Sequence, residues 1–170
     1  MKIITNKKKS DDKFLRTAVS PLDFDLEDNK KLQQLIRDMR KTMRKVHGVG
    51  LSANQVGVSK RLFIAEVPNK EGQKKFYTVI NPKIVKTSEE KSSLTEGCLS
   101  IPKWFGDVLR PRNITLSGLS PYGKKLKIKA WGLLARVFQH EIDHLNGELF
   151  IDKAKNLHKE EEPSKDSPVV

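Results

Sequence analysis

Two histidines and a glutamate in the stretch His140-Glu141-Ile142-Asp143-His144 have the types and the spacing to hold a cation and to work beside it. In an α-helix of 3.6 residues per turn, positions i and i+4 lie one above the other on the same face. Both imidazoles can therefore share one metal ion, while Glu141, about 100° round the helix, can still reach a water on that ion. H-E-x-x-H is the order found in zinc hydrolases, where the metal lowers the pKa of bound water and the glutamate takes its proton. A bare five-residue match would also fit a solvated helix that happens to carry two histidines and two acids. The flanking pattern argues against that. Leu133, Val137, His140 and His144 follow i, i+4, i+7, i+11, and Leu134, Phe138, Glu141 and Leu145 run beside them. The histidines and the acid thus extend apolar stripes, where an acid is costly unless it has a partner. Asn146-Gly147 supplies the helix stop.

A catalytic site of this kind needs a third protein ligand and an open position. The chain has one cysteine, Cys98, in Glu96-Gly97-Cys98-Leu99-Ser100. A lone cysteine is most often a small buried hydrophobe. Here Gly97 lets the backbone approach closely, and Glu96 is an unusual neighbour for a core residue.

Three segments together, Gly48-Val49-Gly50-Leu51-Ser52-Ala53-Asn54-Gln55, Glu96 to Ser100 and His140 to His144, resemble the signature motifs of the peptide deformylase family, in the family's order. The similarity extends from about Phe14 to Asp152. The usual first motif reads Gly-x-Gly-Leu-Ala-Ala-x-Gln. Ser52 replaces its first alanine, a small-for-small change expected to be tolerated. The resemblance implies an enzyme that removes the N-formyl group from the initiator methionine of nascent polypeptides and releases formate. It implies that Cys98, His140 and His144 hold one divalent metal ion, usually Fe2+, with Zn2+, Ni2+ or Co2+ able to take its place. One thiolate and two imidazoles suit all four, so the donors do not decide the metal. The resemblance further makes a metal-activated hydroxide the nucleophile and Glu141 the general base and acid. It makes the Gln55 side chain and the Leu99 backbone N–H the oxyanion donors. Without that motif, Gln55 would read as a loop amide capping its own backbone.

The substrate side chain needs an apolar slot. Val137 and Leu133 lie one and two turns before His140 on its own face, the Arg136 stem flanks them, and Val49 closes the other side. Gly50 and Gly97 complete the expected substrate-binding set, and such a slot fits an unbranched methionine. Leu134 and Phe138 read as core. Asp143 points away from the shared metal side and is expected to anchor the helix through Arg110 or Arg112. Two other functions are compatible with parts of the pattern. A zinc endopeptidase lacks its further His or Glu ligand here, and an inactive peptide- or ribosome-binding relative would not need every ligand, Glu141 and Gln55 retained.

The elements that must position these groups follow from periodicity and breakers. Leu32, Leu35, Ile36, Met39, Met43 and Val46 repeat at helical spacing after Asp28-Asn29, and His47-Gly48 ends that helix. Residues 48–55 then form a Gly-rich turn. Segments 61–67, 76–80, 83–86, 113–118 and 125–131 read as strands. Segment 103–111 resembles the loop after the second motif in one branch of the deformylase family, with Trp104 and Phe105 either exposed beside the cleft or core. Runs of strands between two helices predict an α+β fold of mostly antiparallel sheets packed around a central metal-binding helix, with an N-terminal helix. Residues 1–154 make one catalytic domain, and 155–170 a polar, proline-broken and disordered tail, too short for the longer C-terminal helix with which some family members contact the ribosome. At 170 residues the domain can bury about 70% of its unfolded surface. No apolar run reaches the ~20 residues of a membrane span, no leader is visible, and a single cysteine suits a reducing compartment, so the chain reads as cytoplasmic. A net charge of +12 would favour a polyanionic neighbour such as the ribosome, although no nucleic-acid motif is present. The expected partners are N-formylmethionyl peptides.

Overall fold

The computed structural model describes residues 1–69 and 71–160. A short helix, α1 (Lys9–Leu15), precedes the expected one, α2 (Asn29–Lys45). Asp28 starts α2 by accepting from the Lys30 and Lys31 N–H groups, donors that the first turn leaves free. Its buried face is Leu32, Ile36, Met39 and Met43, and Arg44 and Lys45 complement the negative end of the helix dipole.

The strands are β1 (Gly50–Ser52), β2 (Leu62–Pro68), β3 (Lys74–Thr87), β4 (Lys91–Cys98), β5 (Ile101–Pro111), β6 (Asn113–Leu119) and β7 (Lys125–Trp131). They are followed by α3 (Gly132–Leu145) and β8 (Lys155–Lys159). They form two antiparallel sheets, one in the order β1-β2-β3-β6-β7 and one in the order β4-β5-β8. The fold is α+β, as expected. The large sheet lies between the two long helices, and side-chain alternation divides its faces. Leu62, Ile64 and Ile80 pack with α2, whereas Phe63, Ala65, Val67, Val79, Ile114 and Leu116 pack with α3. Phe138 of α3 sits against Phe63 and Tyr77 at ring-centroid distances of 5.3 and 5.4 Å. Truncating it to alanine would cost about 3–5 kcal/mol.

Helix α3 is buried continuously from Ala135 to Leu145, which makes it the central element. Its C-terminal carbonyls are satisfied from outside: Arg61 donates to the Leu145 carbonyl at 2.9 Å and the Asn54 amide to that of His144 at 2.7 Å. Gly147 follows with φ +79°, a left-handed conformation that glycine adopts without strain.

Four readings are corrected. Segment 103–111 is not a loop: it belongs to β5, paired with β4 over residues 105–111 and with β8 at Trp104. Its prolines and glycine resemble loop punctuation, but Val108 and Arg110 turn inward on alternate positions. Phe105 is buried and Trp104 exposed, which divides the two alternatives left open for them. The two strands read at 76–80 and 83–86 are one, β3, continuing past Asn81 through a register shift. There the Asn81 side chain bonds both the N–H and the carbonyl of Leu22. The turn at 48–55 is partly strand, β1, followed by a 3-10 turn over Ala53–Val56. Residues 155–159, placed in a disordered tail, instead form β8 on the edge of the small sheet, where pairing with β5 satisfies a backbone that composition alone suggested was free. The rest of that tail, 161–170, lies outside the described residues.

Candidate metal centre and active site

Two elements bring the donors together. The β4–β5 turn presents Cys98, α3 presents His140 and His144, and all three side chains are buried. Their ligand atoms lie within 4.8 Å of one another, with Cys98 Sγ 3.1 Å from His144 Nε2 and the two histidine Nε2 atoms 3.2 Å apart. His140 turns its other nitrogen, Nδ1, to the Glu96 carboxylate at 3.0 Å. That bond makes Nδ1 the donor and leaves the Nε2 lone pair facing the cluster. The Phe150 ring stacks on the outer side of His140.

The electrostatics fit a cation. Burial pushes the pKa of His144 well below its ordinary value, aided by His140 and Arg110, so this ring is neutral and free to ligate. Burial also pushes the Cys98 thiol up to about 12, against the pull of the Ser100 N–H. Such a thiol ionises only if a positive charge sits beside it, and the two histidine nitrogens face the same point.

Glu141 occupies the adjacent position and is fully buried, yet among the described residues neither of its oxygens has a hydrogen-bond partner. Burial pushes its carboxyl well above the ordinary range; the nearby Ser52 hydroxyl and N–H, whose hydrogen bonds go to Gln55 Oε1, and the Arg110 charge pull the other way. Two buried acceptors left unpaired are expensive, so they mark a place where another group is meant to arrive. Room for the carboxyl comes from Gly50. A Cβ there would strike Glu141 Oε1 and lie 2.9 Å from Val137 Cγ1.

Gln55 is fixed from both ends. Its Oε1 accepts from the Ser52 N–H at 2.9 Å and the Ser52 hydroxyl at 3.0 Å, which directs the amide nitrogen to Ser100 Oγ at 3.3 Å and towards Cys98 Sγ. Ser52 thus does more than tolerate its position: its hydroxyl supplies one of the bonds that orient Gln55. Leu99, between Cys98 and Ser100, packs its side chain beside Gly48. Gly97 is needed where it stands, because a Cβ would enter the Phe105 ring.

Behind the donors lies a buried ionic cluster that the sequence only hinted at. Glu96 accepts from Arg110 Nε at 2.6 Å, Arg110 Nη2 at 2.9 Å and Arg136 Nη1 at 2.8 Å, besides His140. Burial opposes its charge, but the bonds from Arg110 and His140 win and hold the carboxyl well below the usual range. Arg110 also reaches Asp143 Oδ2 at 2.7 Å, and Lys153 takes Asp143 Oδ1 at 2.7 Å. Of the two partners considered for Asp143, Arg110 is the one observed, whereas Arg112 pairs with Glu90. The signal for this cluster was present in Glu96 beside Cys98, but nothing in the spacing named its arginine partners.

The residues expected to line the substrate slot differ in burial. Val49 and Leu133 are partly buried on the α3 side of the core, and Val137 is fully buried between them and Glu141. The Arg136 guanidinium, beyond the stem expected to flank the slot, runs to Glu96, the Val108 carbonyl and the Ser92 carbonyl, tying α3 to β4 and β5 of the small sheet. A buried guanidinium needs several acceptors, and these are available only there. Leu94, unremarked in the sequence, is half-exposed on β4 and shares the strand face of Glu96, two residues on. A surface cleft of about 890 Å³ between Tyr77, Ile128, Leu133 and Leu134 contains none of the donors and shares Leu133 with the slot.

A sulfur–nitrogen–nitrogen donor set beside a buried carboxyl is the arrangement of a mononuclear metallohydrolase. Comparison with known proteins narrows the class. The family model described as polypeptide deformylase matches residues 4–160. A peptide deformylase of Halothermothrix orenii is 45% identical over 153 residues, covering 90% of this chain and 95% of its own. Among solved structures, a probable peptide deformylase from synechococcus phage S-SSM7 superposes with a TM-score of 0.80 at 40% identity, over 90% of this chain and 99% of that one. A class I type b peptide deformylase from Acinetobacter baumannii, bound to Met-Ala-Ser, superposes with a TM-score of 0.81 at 31% identity, over 90% and 97% of the two chains. The chain belongs to the peptide deformylase family.

Proposed function

We propose that the protein hydrolyses the N-formyl amide of formylmethionyl nascent chains, giving formate and a free amine, with Glu141 carrying the proton between water and the departing nitrogen. The observation that carries this reading is the unpaired, buried Glu141 carboxyl beside three converging donors. One divalent cation held by Cys98, His140 and His144, taken here to be Fe2+ with Zn2+, Ni2+ or Co2+ as substitutes, would lower the pKa of water and polarise the formyl oxygen. Glu141, its pKa raised by burial, takes a proton readily from such water and returns it as the C–N bond breaks. The Gln55 amide nitrogen, aimed by Ser52, and the Leu99 N–H would donate to the formyl oxygen as charge builds on it. Loss of one such donor typically costs ~3 kcal/mol of transition-state stabilisation. Val49, Leu133 and Val137, with Leu94 opposite, form an unbranched apolar slot for methionine, and Gly50 and Gly97 let the peptide backbone come close. The Met-Ala-Ser bound to the Acinetobacter relative has the chemistry of the deformylated product.

The positive net charge would draw the enzyme towards the ribosome, where nascent chains emerge. Among the described residues no helix is long and apolar enough to cross a membrane. The test is formate release from formyl-Met-Ala-Ser by metal-loaded protein, run beside unformylated Met-Ala-Ser-containing peptides. Formate release without peptide-bond cleavage supports the reading. Cleavage of the unformylated peptides, or no formate with any of the four metals, overturns it.

A further inference from the structure

The face of the large sheet opposite α3 is covered by α2 over β1, β2, part of β3 and the Leu119 end of β6. The remainder is open, and its side chains follow from strand register. Lys83 of β3, Ser117 of β6 and Lys127 of β7 are cross-strand partners, and Lys86, Thr115 and Lys129 make the next such row on the same face. The intervening row, Ile84, Leu116 and Ile128, points to the α3 core. Lys125 extends the pattern along β7. All five lysines are exposed, and among the described residues none of them forms an ion pair. Trp131, 60% exposed, ends β7, and Tyr122, 71% exposed, stands in the β6–β7 turn that precedes it. No acidic residue occurs anywhere between Asp107 and Glu141.

Lysines on an edge strand often serve only to prevent sheets from pairing edge to edge. That accounts for β7 but not for Lys83 and Lys86, because β3 is an interior strand. Lysines two apart on a strand are about 6.6 Å apart, and β3 and β7 lie about 10 Å apart across β6. The five charges therefore form a flat plate of roughly 13 by 10 Å with hydroxyl groups in its middle and aromatic rings at its ends. A membrane surface calls for an apolar face that sinks below the headgroups. Here the centre is cationic and hydroxylic, which matches phosphate oxygens, and the peripheral rings can stack on bases.

We propose that this face is an RNA-binding surface, engaging the phosphate backbone through Lys83, Lys86, Lys125, Lys127 and Lys129 on the side of the sheet away from the active site. The inference stands on the charge pattern and does not depend on the reaction proposed above. With about four phosphates neutralised, log affinity for RNA falls against log salt with a slope of roughly −3 to −4. The test is binding of a fluorescein-labelled RNA hairpin by fluorescence anisotropy across a salt series. The variant Lys83→Gln/Lys127→Gln/Lys129→Gln should bind at least about tenfold more weakly at low salt, with a slope smaller by about 2–3. The matched variant Lys7→Gln/Lys8→Gln/Lys9→Gln, with equal loss of charge elsewhere, should bind as the parent does. Both variants should keep the parent's rate of formate release from formyl-Met-Ala-Ser. A second measurement needs no variant: the hairpin should protect the five lysines from acetylation in the parent protein, read by mass spectrometry. Equal weakening in both variants, undiminished binding in the first, acetylation unaffected by RNA, or binding to phosphatidylglycerol vesicles with none to the hairpin would each overturn the proposal.

Discussion

Gly50→Ala adds one methyl group at a position whose backbone is not left-handed, so any effect must come from what the methyl touches. It would meet Glu141 Oε1 inside contact distance, with the carboxyl carbon at 3.0 Å and Val137 Cγ1 at 2.9 Å, against an ordinary limit of 3.4 Å. The neighbours must give way by tenths of an ångström at the carbons and about 1 Å at the oxygen, and a displacement of that size at a reacting group can cost about 100-fold. Overpacking of Val137 adds about 1–3 kcal/mol of destabilisation, equivalent to roughly 3–10 °C in melting temperature for a chain of this size. The donors Cys98, His140 and His144 are not touched. The expected variant is folded, binds one metal, and has kcat lowered about 100-fold with KM changed much less. Steady-state formate release, metal content and thermal unfolding on the same sample check this. A kcat within a factor of about three, or a defect confined to KM, would show that Gly50 does not make room for the Glu141 carboxyl.

Three further outcomes follow from named contacts. Asp143→Asn weakens the bond to Arg110 without touching a donor; metal should remain while activity falls about 10–100-fold and stability drops, and a loss as complete as removing Glu141 would give Asp143 a part in the chemistry. Ser52→Ala removes one of the two bonds that fix Gln55 Oε1, so kcat should fall by about three- to tenfold with metal content unchanged, and parental kcat would show that the Ser52 N–H alone suffices. Glu66, bonded by Arg44 and Arg40, has its carboxyl lowered from 4.5 to about 2. Its folded pKa lies below the unfolded one, so the stability it adds is complete above pH 4.5 and is lost as pH falls towards 2. Because both arginines are partly exposed, the contribution is discounted to about 1–2 kcal/mol. Denaturation of the parent and Glu66→Gln should differ by that amount at pH 6 and converge in acid; a difference that persists at pH 2 would contradict the linkage.

Much of the site was legible because its chemistry is local in sequence. The spacing of His140 and His144 and the setting of Cys98 between Gly97 and Ser100 needed no tertiary information, and the structure brings those side chains together. Apart from the Asp143–Arg110 bond, the long-range contacts were not legible. Arg136 has the helical position of a slot residue, but its guanidinium is drawn to Glu96 and two carbonyls contributed by strands far away in the chain. Similarly β5, with Pro102, Gly106 and Pro111, carries the residues of a loop and becomes a strand because β4 and β8 satisfy its backbone on both sides. The short β8 has no hydrophobic alternation of its own, being exposed throughout, and only its pairing defines it. Ser52 looked neutral because its partner, the Gln55 oxygen, depends on how the 3-10 turn folds back.

The most direct test of the central claim is formate release by metal-loaded Glu141→Gln, which keeps the shape of the side chain but removes its ability to carry a proton. The expected result is full metal content with turnover reduced by at least about 100-fold at every pH. Parental turnover with the metal retained would contradict the role of Glu141, and with it the mechanism proposed for this site.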